Sequence, residues 1–256
     1  YTYISLKNYR HAFKFYEKAL EIAQEIGNLD GERNIYDNSG VLHLDLGNFL
    51  EAERFFFKAI SIQESIRGPL KEDANKISLF DRHANPYQGL QQALVKQNKV
   101  ETSLEIAERG RARAFVDLLQ DRLPSQQVDR LAINVSPPNI KQIQQIAKAH
   151  HSVLIVYSLI QLDSDSPFVY IWVVQPTGEI IFETVNLEGQ GIALGDLLQQ
   201  NREAIGVRGR GGFVPASNIV DETEQLRQLY QLLIKPIAGY LPDDPGQRVT
   251  FIPQGE

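Results

Sequence analysis

The sequence predicts an α-helical repeat array over residues 1–119, a linker over residues 120–137 and part of an α/β domain over residues 138–256. A pattern of aromatic and small residues recurs in the first half at an offset of 40 residues, which is typical of stacked helix pairs. In the second half, β-branched and aromatic runs alternate with helix-forming segments. This alternation favours a sheet flanked by helices.

The composition excludes several classes of protein. Of the 256 residues, 43% are hydrophobic and 23% are charged, as in ordinary globular chains, and no apolar run is long enough to cross a bilayer. The chain has no Cys, so it forms no disulfide and carries no thiolate nucleophile. It also lacks Met, and together with the identity of its terminal residues this predicts a fragment cut at both ends.

The charge argues against nucleic acid and anionic membranes as partners. Lys and Arg number 26 and Asp and Glu 32, giving a net charge of −6. Residues 1–120 hold 16 basic and 17 acidic residues, and residues 121–256 hold 10 and 15, so neither half has a basic excess. No secretory signal is visible. We therefore expect a cytoplasmic protein that binds neither nucleic acid nor membranes.

Three copies of one pattern are visible in the first half. The copies are Asn8-Tyr9-x-x-Ala12-x-x-x-Tyr16-x-x-Ala19, Asn48-Phe49-x-x-Ala52-x-x-x-Phe56-x-x-Ala59 and, after a further 51 residues, the degenerate Lys99-Val100-x-x-Ser103-x-x-x-Ala107-x-x-Gly110. The small residues let two helices approach closely and the aromatic residue fills the groove between them. Gly27 and Gly47 predict left-handed helix ends. The longer offset predicts an insertion around residues 67–83, after which Pro86 either kinks a helix or starts one.

The middle copy resembles the tetratricopeptide repeat family. The residues that carry the resemblance are Tyr36, Ser39, Gly40, Gly47, Phe49, Ala52, Phe56 and Ala59. Ser39 stands where the family has Leu, and His43 stands where it has an aromatic residue. The first copy lacks most of its opening helix, so we expect further repeats upstream. The resemblance implies a protein or peptide partner bound in a concave groove.

Polar residues between Arg33 and Leu46 are candidates for that groove. The spacing i, i+4, i+7 and i+11 places four of them on one helix face, and two more hold equivalent places in the next copy: Asn34, Asn38, Val41, Asp45, Gln92 and Lys96. In the resembled family, the residue at the position of Asn38 often bonds the peptide backbone. The alternative is that these residues are the solvated face of an amphipathic helix.

A charged stretch follows the repeats, running Glu108-Arg109-Gly110-Arg111-Ala112-Arg113-Ala114-Phe115. On a helix, the pairs Glu105/Arg109, Glu108/Arg111 and Arg113/Asp117 lie one turn apart and are expected to form ion pairs. The interspersed acids argue against a nucleic-acid site. A stretch of this kind after tetratricopeptide repeats resembles bacterial proteins that join such repeats to a CHAT domain, a relative of the caspases.

The segments Tyr170-Ile171-Trp172-Val173-x-x-Pro176-Thr177-Gly178 and Phe251-Ile252-Pro253-Gln254-Gly255-Glu256 stand out in the second half. With them, the second half resembles the N-terminal part of such a caspase-like sheet domain. Strands are predicted at 153–157, 168–174, 180–182 and 248–253, the first three as antiparallel neighbours, with a hairpin turn at Pro176–Glu179. Helices are predicted from Pro138, around 192–202 and over about 221–240, where Pro236 kinks the end. The strand at 249–252 is expected to leave an unpaired edge, which favours self-association.

The resemblance implies a catalytic His and a catalytic Cys, both located beyond residue 256. We therefore expect no catalysis, no metal site and no cofactor in this chain. His11, His43 and His83 are isolated on predicted helices, and the His150-His151 pair ends one. The chain is interpreted as an interaction scaffold. The alternative is the regulatory half of an active cysteine peptidase, and a parent with a non-catalytic CHAT domain also stays open.

The segment Gly206–Gly212 has three interpretations. Its central residues are Arg208, Gly209, Arg210 and Gly211. Four glycines in seven residues favour a mobile loop that is regulatory or sensitive to cleavage. Backbone N–H groups with two arginines also suit an anion, and arginine-glycine tracts contact single-stranded RNA.

Overall fold

The computed structural model describes residues 9–67, 86–122, 137–162, 166–188 and 226–253. The chain divides into two compact units, residues 1–141 with 160–165 and residues 142–159 with 166–256. Several predictions fall outside the described residues: nearly all of the insertion around 67–83, His83, most of the linker, the helix around 192–202, and the glycine-rich segment with Arg208, Gly209, Arg210 and Gly211.

The first unit is helical in its described part. Its helices are α1 (Tyr9–Glu25), α2 (Leu29–Asp45), α3 (Phe49–Arg67), α4 (Pro86–Lys96) and α5 (Val100–Arg122). Each helix packs against the next along the chain, and α2 also packs against α4. Because α4 begins at Pro86, the proline starts a helix, where its missing N–H costs no intrahelical bond.

Turns of the same type join α1 to α2, α2 to α3 and α4 to α5. In each, a residue with positive φ ends the helix, and the next residue donates to the carbonyl five residues back. The positive-φ residues are Gly27, Gly47 and Asn98, and the bonds are Asn28 N to Ala23 O at 2.8 Å, Asn48 N to His43 O at 2.8 Å and Lys99 N to Leu94 O at 2.9 Å. The two predicted glycine helix ends are confirmed, and Asn98 takes the same conformation in the third copy.

Phe56 fixes the packing of three helices. Its ring is fully buried on α3 between Gly40 of α2 and Gly89 of α4. A Cβ atom would come within 2.7 Å of that ring at Gly40 and within 2.3 Å at Gly89, both closer than real contacts allow. Ala52 and Ala59 are also fully buried, as the helix-approach interpretation predicts.

The second unit contains a mixed sheet of four strands in its described part. The strands β1 (Ser152–Ile160), β2 (Phe168–Val174), β3 (Ile180–Asn186) and β4 (Arg248–Ile252) lie in the order β3-β2-β1-β4. Strands β2 and β3 are antiparallel, and β1 and β4 are parallel, with Ile155 opposite Phe251. The four predicted strands are confirmed, although β1 and β3 are longer than predicted. Helix α6 (Ile140–Ala149) contains the boundary between the units.

A helical segment covers one face of this sheet. It runs from residue 226, becomes a π-helix over Tyr230–Ile234 and a 3-10 helix over Lys235–Tyr240. Its Leu232 and Ile237 pack into a core with alternate residues of the strands, among them Val153, Ile155 and Ile171. The predicted irregularity at Pro236 is confirmed, because the helix changes its hydrogen-bonding pattern there.

The two ends of the sheet differ in charge. Strand β3 carries Glu183, whereas β4 has no charged residue after Arg248 and its Phe251 is 49% exposed. In the described part of the chain β4 pairs only with β1, so its other side is an open edge. No helix in the described ranges is long and apolar enough to span a membrane.

Candidate peptide-binding surface

The predicted groove residues lie on two helices that pack against each other, α2 and α4. The start of α2 is fixed by Asn28, whose Oδ1 accepts from the Gly31 N–H at 2.9 Å. Asp30 and Glu32 occupy the first turn, where carboxylates interact favourably with the helix dipole. The neighbouring helices thereby place the candidate residues of successive repeats side by side.

The candidate residues on α2 differ in their exposure to solvent. Asn34, Asn38 and Val41 are half-buried and Asp45 is exposed. The Asn38 Nδ2 donates to the Asn34 carbonyl at 2.8 Å, and the Asn34 Oδ1 accepts from Arg33 Nη2 at 2.7 Å. These bonds orient both amides and leave a donor on Asn34 and an acceptor on Asn38, neither with a further bond among the described residues.

The α4 candidates differ from their α2 equivalents. Lys96 is exposed, but Gln92 is only 5% exposed. Gly89 stands 51 residues after Asn38, so the third copy has no amide at that place. Phe56 explains this, since its ring fills the space that a side chain at Gly89 needs. The candidate amides that are not buried therefore lie on α2.

Two charged residues that the sequence analysis did not select are buried on α2. Arg33 is 5% and Asp37 4% exposed, one helical turn apart. Arg33 also approaches Asp30, with Nε 3.8 Å from Oδ1, in addition to its bond to Asn34. Because both charged side chains are buried, their positions are fixed, and the bond from Arg33 in turn fixes the Asn34 amide. Their i, i+4 spacing of opposite charges is the sequence signal that could have identified them.

The charged stretch after the repeats is bonded differently from the prediction. Arg109 forms a bidentate pair with Glu64 of α3, at 2.9 Å for Nε and 2.5 Å for Nη2, instead of pairing with Glu105. Tyr87 of α4 donates to the same carboxylate at 2.9 Å. Hydrogen bonding to Glu64 raises the pKa of Arg109, while burial opposes that rise. The reason is geometric: Glu64 reaches the guanidinium across the interface of three helices.

The other predicted ion pairs have different outcomes. Arg111 pairs with Glu108, as predicted. Glu105 instead accepts from the Ile140 N–H at 2.7 Å, within the first unit. The Arg113/Asp117 pair lies outside the residues whose side chains are described.

His43 packs as an aromatic residue. Its ring lies 4.8 Å from the Phe13 ring of α1 and stacks on Phe55 of α3 at 5.1 Å. Burial lowers the pKa of His43, and the charge of Glu51 partly opposes this. His43 thus packs between rings of α1 and α3, at a position where the resembled family has an aromatic residue. His150 and His151 lie at the end of α6, and no group of His, Asp and Glu suited to a metal occurs in the described segments.

Comparisons with known proteins support the repeat assignment. The tetratricopeptide repeat family model matches residues 1–65. The chain is 32% identical to tetratricopeptide repeat protein 28 of Mus musculus over 157 residues, which are 61% of this chain, and 32% identical to its Homo sapiens counterpart over 156 residues, or 60%. The chain spans about 6% of the length of each relative. No solved structure matches the chain.

The N-terminal helices are therefore tetratricopeptide repeats, a class that generally mediates contacts between proteins. The chain combines these repeats with a small mixed sheet of four strands in its described part. The CHAT domain assignment stays a prediction.

Proposed function

We propose that this chain is a protein-interaction module whose repeats bind an extended peptide segment of a partner across α2 and α4. The observation that carries the proposal is the orientation of Asn34 and Asn38. Each amide is held by one internal bond and retains one polar group, a donor on Asn34 and an acceptor on Asn38. An extended backbone offers the complementary carbonyl and N–H groups.

The remaining candidates supply specificity at this surface. Val41 is half-buried beside the amides and suits a small apolar side chain. Lys96 is exposed on α4 and suits an acidic side chain of the peptide. Gln92 acts from a buried position and shapes the floor between the helices.

Peptide selection tests the proposal. The whole chain is immobilised and panned with a phage library of random peptides, and a selected peptide is labelled with fluorescein for anisotropy titration. Asn38→Ala should weaken binding by about fivefold to tenfold, the value of one or two hydrogen bonds. Gln24→Ala, which removes an exposed amide on α1, is the matched control. Peptides that bind wild type and Asn38→Ala equally would place the binding site elsewhere.

For the second half, we infer that residues 138–256 are the N-terminal part of a CHAT-like domain to which the scaffold is coupled. The alternative is that the chain is the regulatory half of an active cysteine peptidase whose His/Cys dyad lies beyond residue 256. The support is the resemblance of the segments containing Tyr170, Trp172 and Phe251. A His-Gly pair followed by a Cys in the sequence after residue 256 would favour the peptidase, and their absence would favour the scaffold.

We further propose that residues 1–256 have no peptidase activity of their own. Incubation of the chain with a broad peptide library should give no turnover above buffer. Cleavage that survives alkylating agents would reveal a catalytic site other than a thiolate.

A further inference from the structure

A short segment after β1 belongs to the helical unit. Strand β1 ends at Ile160, and residues 160–165 lie in the same compact unit as α1 to α5. Residues 160–162, here called the internal segment, consist of a fully buried Ile160, an exposed Gln161 and Leu162, which is 3% exposed. Such alternation of buried and exposed residues is typical of an extended chain, which directs its first and third side chains to the same side.

The internal segment is bonded to α4 on the candidate peptide-binding surface. The Gln161 N–H donates to the Gln88 Oε1 at 3.1 Å. Gln88 is half-buried and lies one turn before Gln92 and two turns before Lys96. This spacing places the three side chains on one helix face. The acceptor of the bond therefore lies in the row of residues that is proposed to bind a partner.

The bond has the chemistry expected of a bound peptide. In it, the backbone N–H of an extended segment donates to a side-chain amide of a repeat helix. The Asn38 acceptor is proposed to receive a bond of the same kind from a partner. Gln161 and Gln88 are 73 residues apart, so the bond does not arise from a local turn. The α4 end of the candidate surface thus already carries a peptide-like occupant from this chain.

We propose that the internal segment is a built-in ligand of the repeats, which occupies the α4 end of the peptide-binding surface until a partner peptide displaces it. The inference rests on the proposed function, because it requires a peptide that crosses from α2 to α4. The partner is then an extended segment of the same type, with apolar side chains on both sides of a residue whose N–H replaces that of Gln161 at Gln88. Because the internal segment must be released first, it lowers the affinity for the partner.

Two substitutions of Gln161 test the proposal, with the anisotropy of a peptide selected from the phage library as the readout. Gln161→Pro removes the N–H that Gln88 accepts. Loss of this one bond should strengthen peptide binding by about twofold to tenfold. Gln161→Ala keeps the N–H and changes only an exposed side chain, so this matched control should bind as wild type does. Binding by Gln161→Pro that is no stronger than binding by Gln161→Ala would overturn the proposal.

Hydrogen exchange of the wild-type chain tests the displacement without a substitution. Addition of the selected peptide should accelerate exchange over residues 160–162 and slow it over α2. Unchanged or slower exchange over residues 160–162 would overturn the proposal, also in the case that Gln161→Pro does not fold. If the peptide needs Asn38 but does not release the internal segment, this inference fails and the proposed function stands. A peptide that binds independently of Asn38 contradicts the proposed function and this inference with it.

Discussion

The helical unit and the sheet unit stabilise their polar groups in different ways. In the repeats, side chains from different segments converge on single carboxylates. Glu64 accepts from Tyr87 and Arg109, and Glu53 accepts from Gln97 and Lys99 of the turn between α4 and α5, at 2.7 Å each. In the described part of the sheet unit the core is apolar, and the Tyr157 hydroxyl bonds to the covering helix at 2.8 Å.

This difference has a physical origin. Strand pairing satisfies backbone groups between elements, so a sheet needs few side-chain bonds to fix its register. Helices satisfy their backbones internally, and their relative position must come from side chains. The repeats use close packing at Gly40 and Gly89 and bridging carboxylates for this purpose. Changes at such contacts should therefore cost more in the repeats than formally similar changes in the sheet unit.

The largest contrast is expected between two glycine substitutions. Gly89→Ala places a Cβ atom 2.3 Å from the Phe56 ring, whereas a Cβ at Gly239 meets no atom within 4 Å. We expect Gly89→Ala to lower the free energy of unfolding by roughly 1–3 kcal/mol or more. Gly239→Ala should be neutral or slightly stabilising. Urea titrations measure both, and equal effects would contradict the packing account.

A second contrast concerns the carboxylate that joins three helices. Glu64→Gln should cost roughly 1.5–3 kcal/mol, because it weakens charge-assisted bonds from Arg109 and Tyr87. Arg54→Ala removes an exposed pair with Glu51 and should cost less than about 0.5 kcal/mol. Thermal melts of the two variants provide the measurement. A larger loss for Arg54→Ala would show that the network at Glu64 is not what aligns these helices.

The sheet unit has its own sensitive bond, from Tyr157 to the Leu233 carbonyl. Pro236 has no N–H to give that carbonyl in the 3-10 turn, so the phenol supplies the donor. Tyr157→Phe should cost about 1 kcal/mol, and Tyr240→Phe, which removes an exposed hydroxyl, should cost less. Chemical denaturation followed by circular dichroism compares them.

Tyr157 also makes the stability of the sheet unit depend on pH in the alkaline range. Burial raises the pKa of Tyr157 from 10.0 to about 12. The folded state therefore binds the phenolic proton more tightly than the unfolded state does. The stabilisation that results from this tighter proton binding is fully present below pH 10.0 and is lost as the pH rises through about 12. Tyr157→Phe should abolish it, and an unchanged profile would contradict the assignment.

Much of this architecture followed from local patterns, and the exceptions are long-range. The turns at Gly27 and Gly47 and the strand at 168–174 depend on neighbouring residues, so the sequence was sufficient to predict them. The partner of Arg109 is Glu64, 45 residues away, and helix periodicity carries no information about it. The candidate peptide surface was similar: spacing identified Asn34 and Asn38, but the loss of an amide at Gly89 depends on the Phe56 ring.

The middle and third copies place their large and small residues on opposite helices, which sequence matching did not reveal. Gln91 and Ala107 stand 51 residues after Gly40 and Phe56. Both are fully buried. The middle copy has the small residue on its first helix and the large one on its second, whereas the third copy has the larger residue, Gln91, on its first helix and the smaller one, Ala107, on its second. The third copy therefore matched the pattern only weakly, although its two helices also pack against each other.

His43 provides a smaller, pH-dependent contrast within the repeats. Burial lowers its pKa below the usual 6.5, so the folded state favours the neutral ring. The contribution of the neutral His43 ring to the free energy of unfolding should be fully present above pH 6.5. It should decline as the pH falls towards the lowered pKa. In melting curves between about pH 7 and about pH 5, His43→Phe should show a shallower decline than wild type, with His11→Phe as an exposed control. An unchanged slope in His43→Phe would contradict the assignment.

The smallest effect on stability is expected at Asn38. Asn38→Ala removes its bond to the Asn34 carbonyl, but the carbonyl retains its helical partner and Ala is the better helix former. The melting temperature should therefore change little, even though binding of a selected peptide weakens. Circular dichroism melts recorded beside the anisotropy titration separate the two effects. A large loss of stability would mean that Asn38 holds the repeats together, and the loss of binding could then no longer be assigned to direct contact with the peptide.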